Sequence, residues 1–203
     1  LPAEVTANWR TKSLSTVDVE FGFSCMGYEI AGGWGARIAQ METEPEKDTI
    51  VFTGDGSYLL MNSDVYSSVL KGKKLIVIVC DNGGYAVINK LQNNTGNVSF
   101  NNLIKDCNIA VEPFAIDFEA HARAMGAEAE TVTSIAGLKD AFLRAKAASR
   151  TYVISLKVDA YEGWTTEGHT WWEVGTPEIS TRAEVRAAHE SVELGRKKQR
   201  AGF

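Results

Sequence analysis

The stretch TIVFTGDGSYLLMNSDVYSSVLKGKKLIVIVCDNGGY, residues 49–85, holds two short apolar runs. Residues 49–53 and 75–80 are almost uniformly apolar and rich in β-branched side chains, the pattern of strands buried on both faces of a sheet. Between them, Ser57 to Leu70 reads as a helix with Leu60, Val65 and Val69 among its buried positions, ended by Gly-Lys-Lys. Strand, helix and strand in that order make the unit of a parallel sheet. Each strand runs into a polar turn: Gly54-Asp55-Gly56 after the first, Asp81-Asn82-Gly83-Gly84 after the second. Both turns then fall on the edge made by the carboxyl ends of the strands, where ligands of such sheets bind.

The same alternation extends outward. Residues 27–41, GYEIAGGWGARIAQM, place Ile30, Trp34, Ile38 and Met41 at helical spacing, and the glycines and alanines allow close packing on a sheet. DFEAHARAMGA reads as a helix with Gly126 near its end, EAETV as a short strand, TSIAGLKDAFLRAKAAS as a capped helix and residues 151–158 as a third strong strand. The expected fold is α/β: a three-layer, doubly wound parallel sheet with helices on both faces. Residues 1–180 are expected to form one domain and 181–203 a polar helical tail. The first twenty residues, with Pro2, read as an irregular lead-in, and residues 86–116 as a long Asn-rich loop of the kind that function explains.

Composition narrows the partners. The 203 residues are 44% hydrophobic and 23% charged, which suits a globular domain with a real core. A net charge of −5 argues against nucleic acid, and GRKKQR near the C-terminus reads as a solvated helix end. No apolar run is long enough to span a bilayer and no signal-peptide pattern opens the chain, so membrane is not an expected partner. Cys25, Cys80 and Cys107 show no metal or disulfide spacing, which fits a reducing cytoplasm. The first residue is Leu, so the expectation is a processed product or a piece of something longer.

The two turns pose an electrostatic question. Ser57 opens a helix, so its hydroxyl and the amides of the first turn, Tyr58 included, point at a common spot suited to an anion. Asp55 is itself an anion. Two unit charges about 4 Å apart repel by roughly 4 kcal/mol at an effective dielectric near 20. A helix end returns only about 0.3–1 kcal/mol. A cation between them resolves the conflict. Mg²⁺ takes about six oxygen ligands and commonly shares them between a few protein groups, phosphate and water. Asp55 would give a carboxylate oxygen, Asn82 its amide oxygen and Gly84 its backbone carbonyl, while Gly54 and Gly56 would supply positive φ and close approach. Asp and Asn singly are common turn formers; the pair, each after a strand, favours the metal. A dinucleotide fingerprint fits less well, since GDGSYL lacks the third glycine, and GGWGAR lacks the Lys-Ser/Thr of a P-loop.

The run from Gly54 to Gly84 resembles the diphosphate- and metal-binding motif of thiamine-diphosphate enzymes, G-D-G followed about 25 residues later by N. The resemblance implies thiamine diphosphate and Mg²⁺ as cofactors, with Asp55, Asn82 and the Gly84 carbonyl on the metal. It also assigns Ser24, Cys25 and Met26 to the cofactor: Met26 as the apolar prop under the bent thiamine, the backbone near Ser24 facing the aminopyrimidine. Taken alone, Met26 reads as core filling. FSCMGYEIAGGWGA, GDGSYLLMNSD, INKLQ and WWEVG further resemble the C-terminal cofactor domain of trihydroxycyclohexanedione hydrolases of myo-inositol breakdown. The Asn-rich stretch after INKLQ departs from that pattern by being shorter.

That resemblance implies hydrolytic opening of a cyclic 1,2-dione, with the cofactor's ring attacking a carbonyl and storing the electrons, to a 5-deoxy-glucuronate-type acid. It implies a Glu that activates the cofactor from a pyrimidine-binding domain, expected upstream and absent from this chain, and usually contributed across a two-fold dimer or tetramer. No catalytic residue is therefore expected in this chain, and the isolated chain is expected to turn over weakly or not at all. Two alternatives stand beside this reading: another thiamine enzyme, such as an acetolactate-synthase-like lyase or a 2-oxoacid decarboxylase, and a silent diphosphate- or nucleotide-binding module. His121 and His189 read as surface or structural residues. His169, Trp171 and Trp172 read as packing near a site or domain contact, and Cys25 lacks the neighbouring base of a nucleophile.

Overall fold

Four strands, β1 (Ile50–Gly54), β2 (Ile76–Asp81), β3 (Glu128–Val132) and β4 (Tyr152–Lys157), form one parallel sheet in the order β1-β2-β4-β3. The computed structural model from which this is read describes residues 2–14, 16–20, 22–96, 99–107, 114–160 and 175–200. His169, Trp171 and Trp172 lie outside the described residues. The chain divides into two compact units, Leu1–Asn82 with Ala115–Ala160, and Gly83–Phe114 with Tyr161–Phe203.

The first unit holds the sheet. Side chains alternate between its faces, as the period of two requires. Val51, Val77, Val79, Ala129 and Val153 point to one face, where they meet Ile30 of α2 (Tyr28–Thr43), Tyr58 of α3 (Asp55–Met61), Val65 of α4 (Ser63–Leu70), and Phe118 and Ala122 of α6 (Phe118–Ala124). Ile76, Ile78, Cys80, Val132, Tyr152 and Ile154 point to the other, against Ala141 and Ala145 of α7 (Ile135–Ala147). The strand order explains the two layers of helix. The chain crosses from β1 to β2 in one direction and from β3 to β4 in the opposite one, and right-handed crossovers in opposite directions lie on opposite faces. The expected three-layer α/β architecture is what forms.

Three local expectations change. The lead-in contains a helix, α1 (Pro2–Asn8), after which Trp9 packs edge-on against Phe52 with ring centroids 6.0 Å apart. Pro2 sits at the first helical position, where a missing N–H goes unnoticed. The helix expected over 57–70 begins at Asp55 and is two segments that meet at Asn62, whose side-chain amide donates to the Leu59 carbonyl at 2.9 Å and competes with the backbone there. Residues 86–94, expected to be irregular, form α5 (Ala86–Asn94).

In the second unit, α5 buries Ala86 and Asn89, and a polar residue at a buried position hides the apolar periodicity from the sequence. Gly84 bridges Leu103 in antiparallel fashion, with the Tyr85 amide donating to the Asn102 carbonyl at 2.7 Å and the Ile104 amide to the Gly83 carbonyl at 3.0 Å. The expected polar tail is the helix α8 (Ala183–Arg196), and Gly96 lies against it so closely that a Cβ there would fall 2.6 Å from the Val185 side chain. His189 is held through Nδ1 by the Thr176 hydroxyl at 3.1 Å, a structural role.

Candidate cofactor and metal site

The parallel register sets the candidate site. Ile50 pairs with Ile76 and Gly54 with Cys80; Asp55 then opens α3 directly after β1, and Asn82 directly follows β2. Neighbouring strands lie about 4.8 Å apart. Asp55 and Asn82 thus leave the same sheet edge from adjacent strands, as their positions in the sequence suggested. Asp55 is only 4% exposed, and its Oδ1 accepts the Gly56 amide at 3.0 Å. Burial pushes the Cys80 thiol up to about 11, and the Asp55 carboxylate adds to the shift. Asn82 is half-buried.

The turn differs from expectation in its backbone. Gly54 is extended, with φ −77° and ψ 160°, and Gly56 is in the first turn of α3, so neither takes the positive φ foreseen for them. Nothing in the chain itself reserves position 54 for glycine: a Cβ added there would meet nothing within 4 Å, so the space beside it is open. The left-handed backbone belongs to the second turn, where Gly83 has φ 82° and Gly84 φ 141°. At Gly84 a Cβ would lie 2.4 Å from the Asn102 carbonyl oxygen, which reserves that position for glycine.

Ser57 is buried in the first turn of α3. Tyr58, placed by the sequence beside an anion, offers only its backbone amide: its ring is fully buried, edge-on to Phe118 at 5.4 Å, and its hydroxyl meets His121 Nδ1 at 3.1 Å. Burial pushes the Tyr58 hydroxyl pKa well above its ordinary value, so it stays neutral. His121 is accordingly the structural residue expected of it.

Ser24, Cys25 and Met26 lie at the other end of α3. Gly27, with φ 96°, sits so close to Met61 that a Cβ there would fall 2.3 Å from its Cγ. Six steps from Asp55 to Met61, at about 1.5 Å rise each, separate this loop from Asp55 by about 9 Å along the helix. The loop is shaped by Glu20, whose carboxylate accepts the amides of Phe23 at 2.8 Å and Cys25 at 2.6 Å and is held below its ordinary pKa by them. Ser24 takes φ 53°, and Met26 is 37% exposed, so Met26 is not the buried core filler of its simplest reading.

One pair at this edge was not foreseen. Asp81 ends β2 opposite Lys157 at the end of β4, and their side chains form an ion pair. The sequence signal was there, a carboxylate and a lysine each closing an apolar strand, but only the strand order makes β2 and β4 neighbours.

The donor set suits a hard cation. A buried carboxylate and an amide oxygen on adjacent strand ends are oxygen ligands of the kind Mg²⁺ takes, and the room beside Gly54 admits a ligand that completes its shell. Among the described residues no group of three or more His, Cys, Asp or Glu could hold a metal by itself, so the set needs oxygens from elsewhere.

The chain is similar to known proteins in sequence and in fold. Residues 3–156 match the family model described as "Thiamine pyrophosphate enzyme, C-terminal TPP binding domain". The chain is 36% identical over 196 residues to a 3D-(3,5/4)-trihydroxycyclohexane-1,2-dione hydrolase of Bacillus cereus and 35% identical over 196 residues to a Bacillus anthracis protein of that name. Each match takes in 94% of this chain and 30% of the relative's length. In structure it resembles a thiamine diphosphate-dependent 4-hydroxybenzoylformate decarboxylase from Rhodococcus jostii RHA1, with a TM-score of 0.52 and 21% identity over 66% of this chain and 23% of that one. A benzoylformate decarboxylase from Polynucleobacter necessarius gives 0.54 and 20% over 66% and 24%. These two likenesses carry the fold alone. On the match over residues 3–156, the chain belongs to the thiamine pyrophosphate enzymes, as a C-terminal TPP-binding domain.

Proposed function

We propose that this chain is the cofactor-binding portion of a thiamine-diphosphate-dependent hydrolase that opens the ring of trihydroxycyclohexane-1,2-dione to 5-deoxy-glucuronate in myo-inositol breakdown. The observation that carries the cofactor half of this reading is the buried carboxylate of Asp55 beside Asn82 on adjacent strand ends, with open room at Gly54. The relatives at 35–36% identity over 94% of the chain support the substrate half.

The residues divide the work. Asp55 and Asn82 hold Mg²⁺ through side-chain oxygens, and Gly84 adds its backbone carbonyl. The open space beside Gly54 takes the diphosphate, and the amides of Ser57 and Tyr58 with the Ser57 hydroxyl donate to it, while the Gly56 amide holds the Asp55 carboxylate. Ser24, Cys25 and Met26, about 9 Å away along α3, meet the organic end of the cofactor, with Met26 as its apolar support. When bound, thiamine diphosphate supplies a carbon nucleophile and an electron sink for cleavage next to a carbonyl. The protein's part is to neutralise the diphosphate and to fix the cofactor's conformation.

The chain spans about 30% of the length of the curated relatives it matches. The partner in this reading is a pyrimidine-binding domain that carries the activating Glu. Leu59, Leu60 and Met61 are exposed along α3, with Phe23 and Met26 in the adjoining loop, an apolar surface suited to such a contact. A homodimer or tetramer in the cytoplasm completes the proposal. Among the described residues no helix is long and apolar enough to cross a membrane.

The test is calorimetric titration with thiamine diphosphate and with NAD, each with and without Mg²⁺. Mg²⁺-dependent binding of thiamine diphosphate, lost in Asp55→Ala, is expected. Unchanged affinity in that variant removes the metal role, and preferential NAD binding replaces the reading with a nucleotide-binding module.

A further inference from the structure

Phe23, Ser24 and Cys25 are exposed, so packing does not hold the loop that leads into α2. Carboxylates hold it instead. Glu20 Oε1 accepts the Phe23 amide at 2.8 Å and Oε2 accepts the Cys25 amide at 2.6 Å, so one carboxylate brackets Ser24. Ser24 has φ 53°, a left-handed backbone that is uncommon for a residue other than glycine and that its surroundings must keep in place. Glu29 accepts the Gly27 amide at 3.0 Å. The Tyr28 hydroxyl donates to Asp18, which ties the chain just before Glu20 to the first turn of α2. Alternate amides, those of Phe23, Cys25 and Gly27, are thereby taken. The amides of Ser24 and Met26 make no hydrogen bond to another described residue.

We propose that Glu20 is a positioning residue for the organic end of the cofactor: by pinning the amides on either side of Ser24 it keeps the loop in the form that meets the aminopyrimidine, and so sets the affinity for thiamine diphosphate over that for bare diphosphate. The proposal rests on the reading of Ser24, Cys25 and Met26 as cofactor contacts. The chemistry of the acceptor singles Glu20 out. A carboxylate has two acceptor oxygens and no donor, and Glu20 spends one oxygen on each amide. A Gln of the same length turns its NH₂ group toward one of the two amides, donor against donor, and loses that bond. Glu29 spends a single oxygen on Gly27, so Gln in its place keeps an acceptor there. Asp55 lies about 9 Å away along α3, so the two ends of the site can be read separately.

The experiment measures two affinities on this chain by calorimetry in saturating Mg²⁺: thiamine diphosphate, and inorganic pyrophosphate, which carries no organic end. Wild type is expected to bind thiamine diphosphate the more tightly. In Glu20→Gln, thiamine diphosphate should bind about tenfold weaker, as when the competent form of the loop falls to about a tenth of the population, with pyrophosphate within about threefold of wild type. Glu29→Gln should leave both affinities within about threefold of wild type. Parallel weakening of both ligands in Glu20→Gln, no change in either, or an equal selective loss in Glu29→Gln overturns the role of Glu20 while leaving the cofactor reading in place. Wild-type chain that binds thiamine diphosphate no tighter than pyrophosphate overturns the assignment of Ser24, Cys25 and Met26 to the cofactor, and the proposal with it. Should Glu20→Gln fail to fold, amide hydrogen exchange in the wild-type chain decides. Protection of Phe23 and Cys25 before cofactor is added, with Ser24 and Met26 gaining protection only on binding, supports the proposal, and equally fast exchange of all of these amides in the free chain overturns it.

Discussion

Replacing Gly33 by Ala tests the contact on which both halves of the candidate site depend. Gly33 lies on α2, which begins just after the 24–27 loop, and it faces Val51 of β1, the strand that runs into Asp55. A Cβ at position 33 would fall 2.4 Å from Val51 Cγ2, far inside the roughly 3.5–4.0 Å of a favourable carbon contact. Val51 is buried and cannot turn away. In helix propensity the change gains about 0.8–1.0 kcal/mol. Overpacking a tight interface costs about 1–3 kcal/mol. The net expectation is a loss of up to about 2 kcal/mol, centred near 1. Gly35, two residues on, is the internal control. It is exposed, and a Cβ there meets nothing within 4 Å, so Gly35→Ala should show the propensity gain alone, about 1 kcal/mol of added stability. Propensity cancels in the difference between the two variants, leaving the steric term of about 1–3 kcal/mol. Urea unfolding followed by circular dichroism reads it. In a Val51→Ala background the penalty at Gly33 should largely vanish, a coupling that a double-mutant cycle isolates. If Gly33→Ala and Gly35→Ala prove equally stabilising, α2 does not pack on β1 in this way, and the placement of the 24–27 loop relative to Asp55 goes with it.

Other expectations concern single groups. Tyr58→Phe removes the hydroxyl that meets His121 and should cost about 1 kcal/mol in urea unfolding; because that side chain faces the core, thiamine diphosphate affinity should not change, and a drop in affinity without a loss of stability would show the hydroxyl at the ligand instead. Glu130 is held below the ordinary carboxylate range by hydrogen bonds from Arg144, with the Tyr152 hydroxyl adding. A depressed folded pKa means its contribution is fully present above the unfolded value of about 4.3 and is lost as pH falls through the folded one. The gap in urea midpoint between wild type and Glu130→Gln should therefore be widest at neutral pH and close in acid; a gap constant down to low pH would contradict it. A thiol reagent should label exposed Cys25 fast and buried Cys80 only on unfolding, with thiamine diphosphate and Mg²⁺ slowing Cys25. Mass spectrometry that finds Cys80 modified as fast as Cys25 would count against the burial of β2.

Much of the architecture was legible because it depends on local rules. The β-branched runs over 49–53 and 75–80 could hardly be anything but buried strands, and the Asp and Asn that follow them had to leave the sheet at the same edge. The misreadings have equally local causes. Pro2 suggests irregularity in the sequence, yet proline is welcome at a helix start. The buried Asn89 concealed the periodicity of α5. Asn62 split a helix through a side-chain bond that its type permits but does not require. The positive φ expected of Gly54 is not taken: its backbone is extended, and a Cβ there would meet nothing within 4 Å.

The sequence by itself determined that the chain alternates strand and helix and that Asp55 and Asn82 follow two strands, because hydrophobic periodicity and chain order are properties of neighbours in the chain. It also marked the two polar turns that the proposed function gives to a metal and a diphosphate. Only the tertiary structure decided that β4 lies beside β2, and so that Lys157, about seventy-six residues from Asp81, closes on its carboxylate. It alone sent the Tyr58 ring to the core and left Met26 partly exposed at the far end of α3. Which strands pair is settled by the packing of whole faces against one another, and no short stretch of residues carries that information.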